Sequence, residues 1–168
     1  MINKSKEEID KVFNDEFFTY AKHASDFDRY AIFFIYYSGH GVMNGPDTVG
    51  LAVDDTRIQL DHYVRQLSSR ANTFTIALFD CCRVEEVQKG PEILEYPPTK
   101  GKYLTLYAAE KKKPAIADAI GGMSKATVAF LDYMNAYNST TIDLKEYVDK
   151  WGFDLGDKSS NMWGSLSV

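Results

Sequence analysis

Residues 30–41 read YAIFFIYYSGHG, and residues 73–83 read TFTIALFDCCR. Each stretch opens with apolar, aromatic or β-branched residues that run on without the polar alternation of a half-exposed strand. Continuous runs of this length are typical of strands that are covered on both faces, as in a parallel sheet. The sequence therefore predicts two core strands, at residues 30–37 and 73–79, and we expect both to be buried on both faces.

The rest of the chain alternates helical and strand patterns around these two strands. Helices are predicted from a capping box at Ser5 and Glu8 to residue 23, and over residues 58–67, 124–137 and 142–151. Further strands are predicted at residues 50–53, 103–108 and 165–168, the last as an edge strand, with loops at residues 39–46, 85–102 and 110–122. This alternation indicates an α/β fold with a mainly parallel sheet flanked by helices.

Composition excludes several classes of protein. The 168 residues suit one domain, and 45% hydrophobic with 26% charged residues is enough for a folded core. A net charge of −5 gives no overall electrostatic attraction to a negatively charged phosphate backbone, so nucleic acid is not expected as a partner. The longest apolar run has 8 residues, against the roughly 20 of a membrane-spanning helix, and the N-terminus has no apolar signal region. We therefore expect no membrane span and a cytoplasmic location.

Residues that can carry chemistry follow both core strands. His40 comes three residues after the first strand, between Gly39 and Gly41, and Cys82 comes three residues after the second. If the strands are neighbours, their carboxyl ends place an imidazole and a thiol at one sheet edge. This is the combination of a nucleophile and its base, and the Gly41 amide is a candidate oxyanion donor. The adjacent Cys81 is expected to be a small core residue.

Together these motifs resemble the caspase-like cysteine peptidases, in particular the metacaspase branch. Residues 33–41 and 76–83 carry the resemblance, which extends over about residues 27–168. His40 and Cys82 are 42 residues apart, close to the roughly 50 that separate the two motifs in caspases. The resemblance implies a three-layer caspase-like fold.

The resemblance also assigns roles within one caspase-like domain over residues 1–168. His40 would be the base and Cys82 the nucleophile of a Cys-His endopeptidase, with the amides of Gly41 and Cys82 as oxyanion donors. Asp80 matches the aspartate of the metacaspase S1 pocket, where caspases carry glutamine. A carboxylate in that pocket selects a cationic side chain, so the implied substrate is a polypeptide with Arg or Lys at P1.

One departure from the family pattern lies before residue 5. The family domain opens with a strand, a helix and a strand that precede the segment matching residues 5–23, and this chain does not encode them. We therefore expect a partial, N-terminally truncated domain in which a second chain or a second copy covers the exposed edge of the first core strand. The alternative is a catalytically inactive, caspase-like pseudoenzyme that serves as a structural or interaction subunit of a larger complex.

No cofactor and no metal are required by the sequence. Calcium activation is common in metacaspases, and Asp54 and Asp55 are the candidate ligands that the resemblance suggests. A turn after a short strand explains these two residues equally well.

Overall fold

The computed structural model describes residues 3–85, 102–115, 124–136, 143, 145–146, 151 and 163–167. The helical elements are α1 (Lys6–Lys11), a π-helical segment (Val12–Phe17), α2 (Phe18–Asp26), α3 (Leu60–Ser68) and α4 (Lys125–Ala136). The strands are β1 (Ala31–Ser38), β2 (Gly41–Asn44), β3 (Asp47–Leu51), β4 (Arg57–Gln59), β5 (Thr73–Asp80), β6 (Val84–Glu85), β7 (Tyr103–Tyr107) and β8 (Trp163–Ser167). Outside the described residues lie most of the loop predicted at 85–102, residues 116–122 of the next loop, most of the helix predicted at 142–151, and residue 168.

The main sheet contains the core strands that the sequence predicts. Its order is β1-β5-β7-β8, with β1, β5 and β7 parallel and β8 antiparallel to β7 at the edge. The pairing of β1 with β5 runs in register from Ala31 opposite Thr73 to Ser38 opposite Asp80. The predicted mainly parallel sheet with an edge strand near the C-terminus is therefore confirmed.

Helices cover both faces of this sheet, so the fold has three layers, with the sheet between two layers of helices. On one face the N-terminal helices and α3 place Phe13 and Leu67 in one buried cluster with Phe79 of β5. On the other face α4 packs Ala126 near Leu104 of β7. Leu67 and Phe79 have no exposed surface, and burying a side chain of this size contributes about 2 kcal/mol. None of the described helices is long and apolar enough to cross a membrane.

The N-terminal helix begins where the capping box predicts. The Glu8 amide donates to Ser5 Oγ at 3.3 Å, and the Ser5 amide donates to the Glu8 carboxylate at 3.0 Å. Helical structure then continues through the π-helical segment and α2 to Asp26, three residues beyond the predicted end at residue 23. The buried Phe13 ring lies 4.2 Å from the Tyr63 ring, centroid to centroid, and joins this helix to α3.

Only one strand of a second, smaller sheet is predicted by the sequence, at residues 50–53, where the structure has β3 (Asp47–Leu51). This sheet contains β2, β3 and β4, which lie between β1 and β5 in the chain, and β6, which follows β5. Its order is β4-β3-β2-β6, and β2 forms an antiparallel hairpin with β3 through a turn in which Gly45 has a φ of 60°. The prediction of a loop over residues 39–46 is wrong, because Gly41–Asn44 form β2. The helix predicted over residues 58–67 is confirmed as α3, but it starts two residues later, because Ile58 lies in β4. Strands of two to five residues leave too weak a periodic pattern to recognise, and Gly41 in β2 and Gly50 in β3 weaken it further.

The prediction that the first core strand is buried on both faces is also wrong. Ile32, Phe34 and Tyr36 are 70%, 50% and 49% exposed, whereas Phe33 on the opposite face is buried. Within the described part of the chain β1 is an edge strand that pairs only with β5. The reason for the exposure is that α4 packs mainly over β5 and β7 and reaches β1 only through contacts such as the ring of Phe130 stacked on Phe34.

Candidate active site

The carboxyl ends of β1 and β5 lie side by side. The last register pair is Ser38 opposite Asp80, and the Gly39 amide donates to the Asp80 carbonyl at 3.3 Å, which extends the ladder. His40 and Cys82 each follow two residues after this pair, so they occupy equivalent positions beyond neighbouring strands. Because adjacent strands are only about 4.8 Å apart, the two residues share one edge of the sheet.

Close backbone contact joins the two motifs. A Cβ atom on Gly41 would lie 2.5 Å from the Cys82 carbonyl oxygen and 2.6 Å from Cys81 Sγ. Only glycine fits at this distance, so any side chain at position 41 would push the histidine segment away from the cysteine segment. Gly41 is also the first residue of β2 and pairs with Gly50 of β3. The smaller sheet thereby fixes the segment that contains His40.

Tyr37 supports the same segment from the side. Its hydroxyl lies 2.7 Å from the His40 carbonyl and 3.1 Å from the Leu51 carbonyl, either of which accepts its proton, and it accepts the Leu51 amide at 2.8 Å. Partial burial raises the pKa of Tyr37, so its hydroxyl stays protonated and able to donate at neutral pH. From the sequence alone, Tyr37 is only the last residue of a predicted strand. Its partner Leu51 is 14 positions away, and no local pattern indicates the contact.

The two adjacent thiols have different surroundings. Cys81 is 2% exposed, and burial raises the pKa of its thiol to about 12. It is therefore protonated at neutral pH and packs as the core residue that the sequence predicts. Cys82 is partly exposed, and its Sγ accepts a hydrogen bond from the Ala115 amide at 3.3 Å. Of the two cysteines, Cys82 is therefore the one that is accessible to solvent.

Asp80 is a buried carboxylate held by the start of α4. Ser124 Oγ and Thr127 Oγ1 both donate to its Oδ2 atom, the latter at 2.6 Å. Ser124 also caps the helix, because its Oγ accepts the Thr127 amide at 3.1 Å. Nearer the surface of the protein, the hydroxyls of Tyr36 and Thr127 are 3.1 Å apart and share a hydrogen bond. A serine before a helical pattern indicates a cap, but nothing local in the sequence pairs it with a carboxylate 44 residues earlier.

A buried polar cluster anchors the residue after Cys82. Arg83 donates through Nε to Thr48 Oγ1 at 3.0 Å and through a terminal nitrogen to the Ala109 carbonyl at 3.4 Å. Its guanidinium lies 3.8 Å from the centre of the Tyr107 ring, and the Tyr107 hydroxyl donates to the Asp61 carboxylate at 2.6 Å. Burial raises the pKa of Asp61. These contacts hold the backbone on the C-terminal side of Cys82.

The candidate calcium ligands lie in a turn between β3 and β4. The Thr56 amide donates to Asp54 Oδ1 at 3.1 Å, and the Asp55 amide donates to the Ala52 carbonyl at 3.0 Å. Asp55 has a φ of 60°, which aspartate tolerates better than most residues. Both side chains are exposed, and the turn itself accounts for both residues through the hydrogen bond to Asp54 and the positive φ of Asp55.

The fold and the sequence agree with one known family. The caspase domain family, peptidase C14, matches residues 1–162. Among solved structures, caspase-1 from Spodoptera frugiperda is similar, with a TM-score of 0.65 and 13% sequence identity over 98% of this chain and 69% of that chain. No curated protein matches. The predicted caspase-like α/β fold is confirmed by these findings, and the chain belongs to the caspase domain family.

Proposed function

We propose that this chain is a metacaspase-type cysteine endopeptidase that cleaves polypeptides after Arg or Lys. The observation that carries the proposal is the register of β1 and β5, with His40 and Cys82 at equivalent positions beyond their paired ends. Nucleophilic catalysis needs a thiol that substrate can reach and a base close to it, and we propose that Cys82 and His40 supply them. The match to a peptidase family supports the same reaction class.

In the proposed reaction the His40 imidazole takes the proton of Cys82 Sγ. The thiolate attacks the scissile carbonyl carbon and forms a C–S bond, while the amide nitrogen leaves with the proton that the imidazolium returns. Water, deprotonated by the same imidazole, then hydrolyses the thioester and restores the thiol. The amides of Gly41 and Cys82 donate to the carbonyl oxygen, whose negative charge develops in the transition state.

Asp80 supplies the proposed preference for Arg or Lys at P1. Its carboxylate lies two residues before the nucleophile and is 7% exposed. Because Ser124 and Thr127 donate from neutral hydroxyls, they fix the carboxylate without cancelling its charge. A cationic substrate side chain would pair with this charge, whereas an aspartate side chain would be repelled by it.

Alkylation measures the proposed difference between the two thiols. At pH 7 iodoacetamide is expected to modify Cys82 at least about tenfold faster than Cys81, because Cys81 is buried and protonated. His40→Ala is expected to slow modification of Cys82, since the imidazole that takes its proton is lost. Peptide mapping by mass spectrometry measures both rates, and unfolding in urea should make them equal. Equal rates in the folded protein would count against the dyad.

A second candidate function is that of an interaction subunit without catalysis. The observation that favours it is the edge of β1, which pairs only with β5 in the described part of the chain and exposes Ile32, Phe34 and Tyr36 on one face. Edges of this kind pair readily with another chain. We propose that a second polypeptide or a second copy covers this edge, in the peptidase as well as in an inactive subunit.

Sedimentation of the full chain tests whether the β1 edge is covered. We expect the chain not to behave as a stable 19.0 kDa monomer, but to self-associate or to need a partner for a cooperative unfolding transition in urea. Ile32→Lys should weaken the association by placing a charge on the exposed edge strand. Tyr20→Lys is the matched control, because Tyr20 is a comparably exposed apolar residue of α2. A monodisperse wild-type monomer with one cooperative transition would contradict the proposal.

A further inference from the structure

Residues 112–115 run alongside the nucleophile segment and bind its backbone. The Lys112 amide donates to the Arg83 carbonyl at 2.7 Å, and the Arg83 amide donates to the Lys113 carbonyl at 3.0 Å. These two bonds form a short ladder of the kind found between strands. The position of the chain after Lys113 is therefore set directly by the residue that follows Cys82.

A strained turn brings the chain into this position. The Lys113 amide donates to the Glu110 carbonyl at 3.2 Å, and Lys112 has a φ of 67° at the third position of the turn. A left-handed conformation at a non-glycine residue costs on the order of 1 kcal/mol and persists only where surrounding contacts enforce it. The side chains of Lys112 and Lys113 pair with Glu85 and Glu110, at 3.3 and 2.5 Å. The lysines thus bind surface carboxylates and leave the backbone of the loop against Cys82.

The result of this arrangement is a backbone donor directed at the sulfur. The Ala115 amide donates to Cys82 Sγ at 3.3 Å, although the two residues are 33 positions apart. We propose that Ala115 is a positioning residue of the proposed cysteine peptidase: its amide holds Sγ in place and stabilises the thiolate. The proposal rests on Cys82 being the nucleophile.

Hydrogen-bond energetics explain why this donor matters. A bond from N–H to an anionic acceptor is roughly twice as strong as one to a neutral acceptor. The Ala115 amide therefore stabilises the thiolate more than the thiol, and it does so before substrate binds. It acts alongside His40, whose imidazolium also donates to the thiolate once it has taken the proton. A backbone donor is unaffected by most side-chain substitutions, so proline is the change that removes it.

Alkylation of the full chain tests the donor. Ala115→Pro lacks the N–H, and we expect its Cys82 to react with iodoacetamide about tenfold more slowly at pH 7, the effect of about 1.4 kcal/mol of lost thiolate stabilisation. The difference should close at high pH, where the thiol is ionised in both proteins. Ala115→Gly keeps the N–H and should keep the wild-type rate. A change in access to Cys82 would instead slow the reaction equally at every pH.

A second pair of variants tests the ladder if Ala115→Pro does not fold. Lys112→Pro cannot adopt a φ of 67° and lacks the N–H that donates to the Arg83 carbonyl. Lys112→Gly can adopt this φ and keeps the hydrogen bond. We expect the proline variant to show the same pH-dependent slowing and the glycine variant to show none. Slowing that is absent, or equal at every pH, in the folded proline variants would overturn the proposal. A wild-type protein in which Cys82 is no more reactive than Cys81 would instead overturn the proposed function.

Discussion

Cys82→Ala and His40→Ala are each expected to lower kcat for peptide hydrolysis by about 10³-fold or more, because a nucleophile and its base act as a unit. The double variant should be scarcely worse than either single variant, since removal of one member already disables the other. Initial rates with a fluorogenic peptide carrying Arg at P1 measure all three. The substitutions follow from the shared edge of β1 and β5, where the two residues occupy equivalent positions.

Cys81→Ala is the matched control for loss of a thiol. Cys81 is buried, its thiol has a pKa of about 12, and we assign it no role in the reaction. Its replacement is therefore expected to change kcat little, while thermal unfolding reports any loss of packing. Residual hydrolysis in Cys82→Ala within tenfold of wild type would exclude Cys82 as the nucleophile.

Asp80→Asn is expected to lower kcat/KM for an Arg substrate by about 10²-fold or more. Removing one partner of a buried charge pair costs roughly 3–5 kcal/mol, and 3 kcal/mol in the transition state already exceeds 10² in rate. Substrates that differ only at P1, with Arg, Lys, Gln or Asp, measure the change. We expect wild type to prefer Arg and Lys strongly, and Asp80→Asn to lose most of that preference.

Asp28→Asn is the control for the change in net charge. Asp28 is an exposed carboxylate in the turn between α2 and β1, and asparagine suits its φ of 52°. The variant should retain the P1 preference of wild type. Cleavage after Asp at a kcat/KM comparable with cleavage after Arg would refute the assignment of Asp80 to the pocket.

The main sheet could be predicted because its strands carry strong signals. The runs at residues 30–37, 73–79 and 103–108 are almost wholly apolar or β-branched, and each became a strand within one residue of its predicted ends. The position of the candidate site also follows from the sequence, since both motifs stand directly after such strands. The register that aligns His40 with Cys82 is a property of the paired strands and appears only in the structure.

The supports of the site could not be predicted, because they join residues that are distant in the chain. Thr127 reaches Asp80 across 47 positions, and the Ala115 amide reaches Cys82 across 33. Contacts of this kind depend on how helices and loops pack over the sheet, for which a single sequence gives no local pattern. Apart from β3, which overlaps the strand predicted at residues 50–53, the smaller sheet escaped prediction because its strands have two to five residues.

The exposed face of β1 shows what an apolar pattern can indicate. The run at residues 30–37 predicts burial of both faces, and this prediction is wrong for the face that carries Ile32 and Phe34. An apolar run does not indicate which part of the structure, or which partner, buries each face of the strand. Phe33 is buried by other parts of the chain, whereas Ile32 and Phe34 remain at least half exposed. We propose a partner at this edge because these apolar side chains of β1 are left exposed.

Covalent labelling with a peptidyl acyloxymethyl ketone tests the central claim most directly. The compound forms a thioether with an activated cysteine, and its P1 side chain reports the pocket in the same experiment. On the full chain, in the folded form that sedimentation identifies, we predict one label on Cys82 from the Arg compound and none from the Asp compound. Labelling of Cys81, or no labelling of Cys82 by the Arg compound, would contradict a Cys82 peptidase and leave the interaction subunit as the better account.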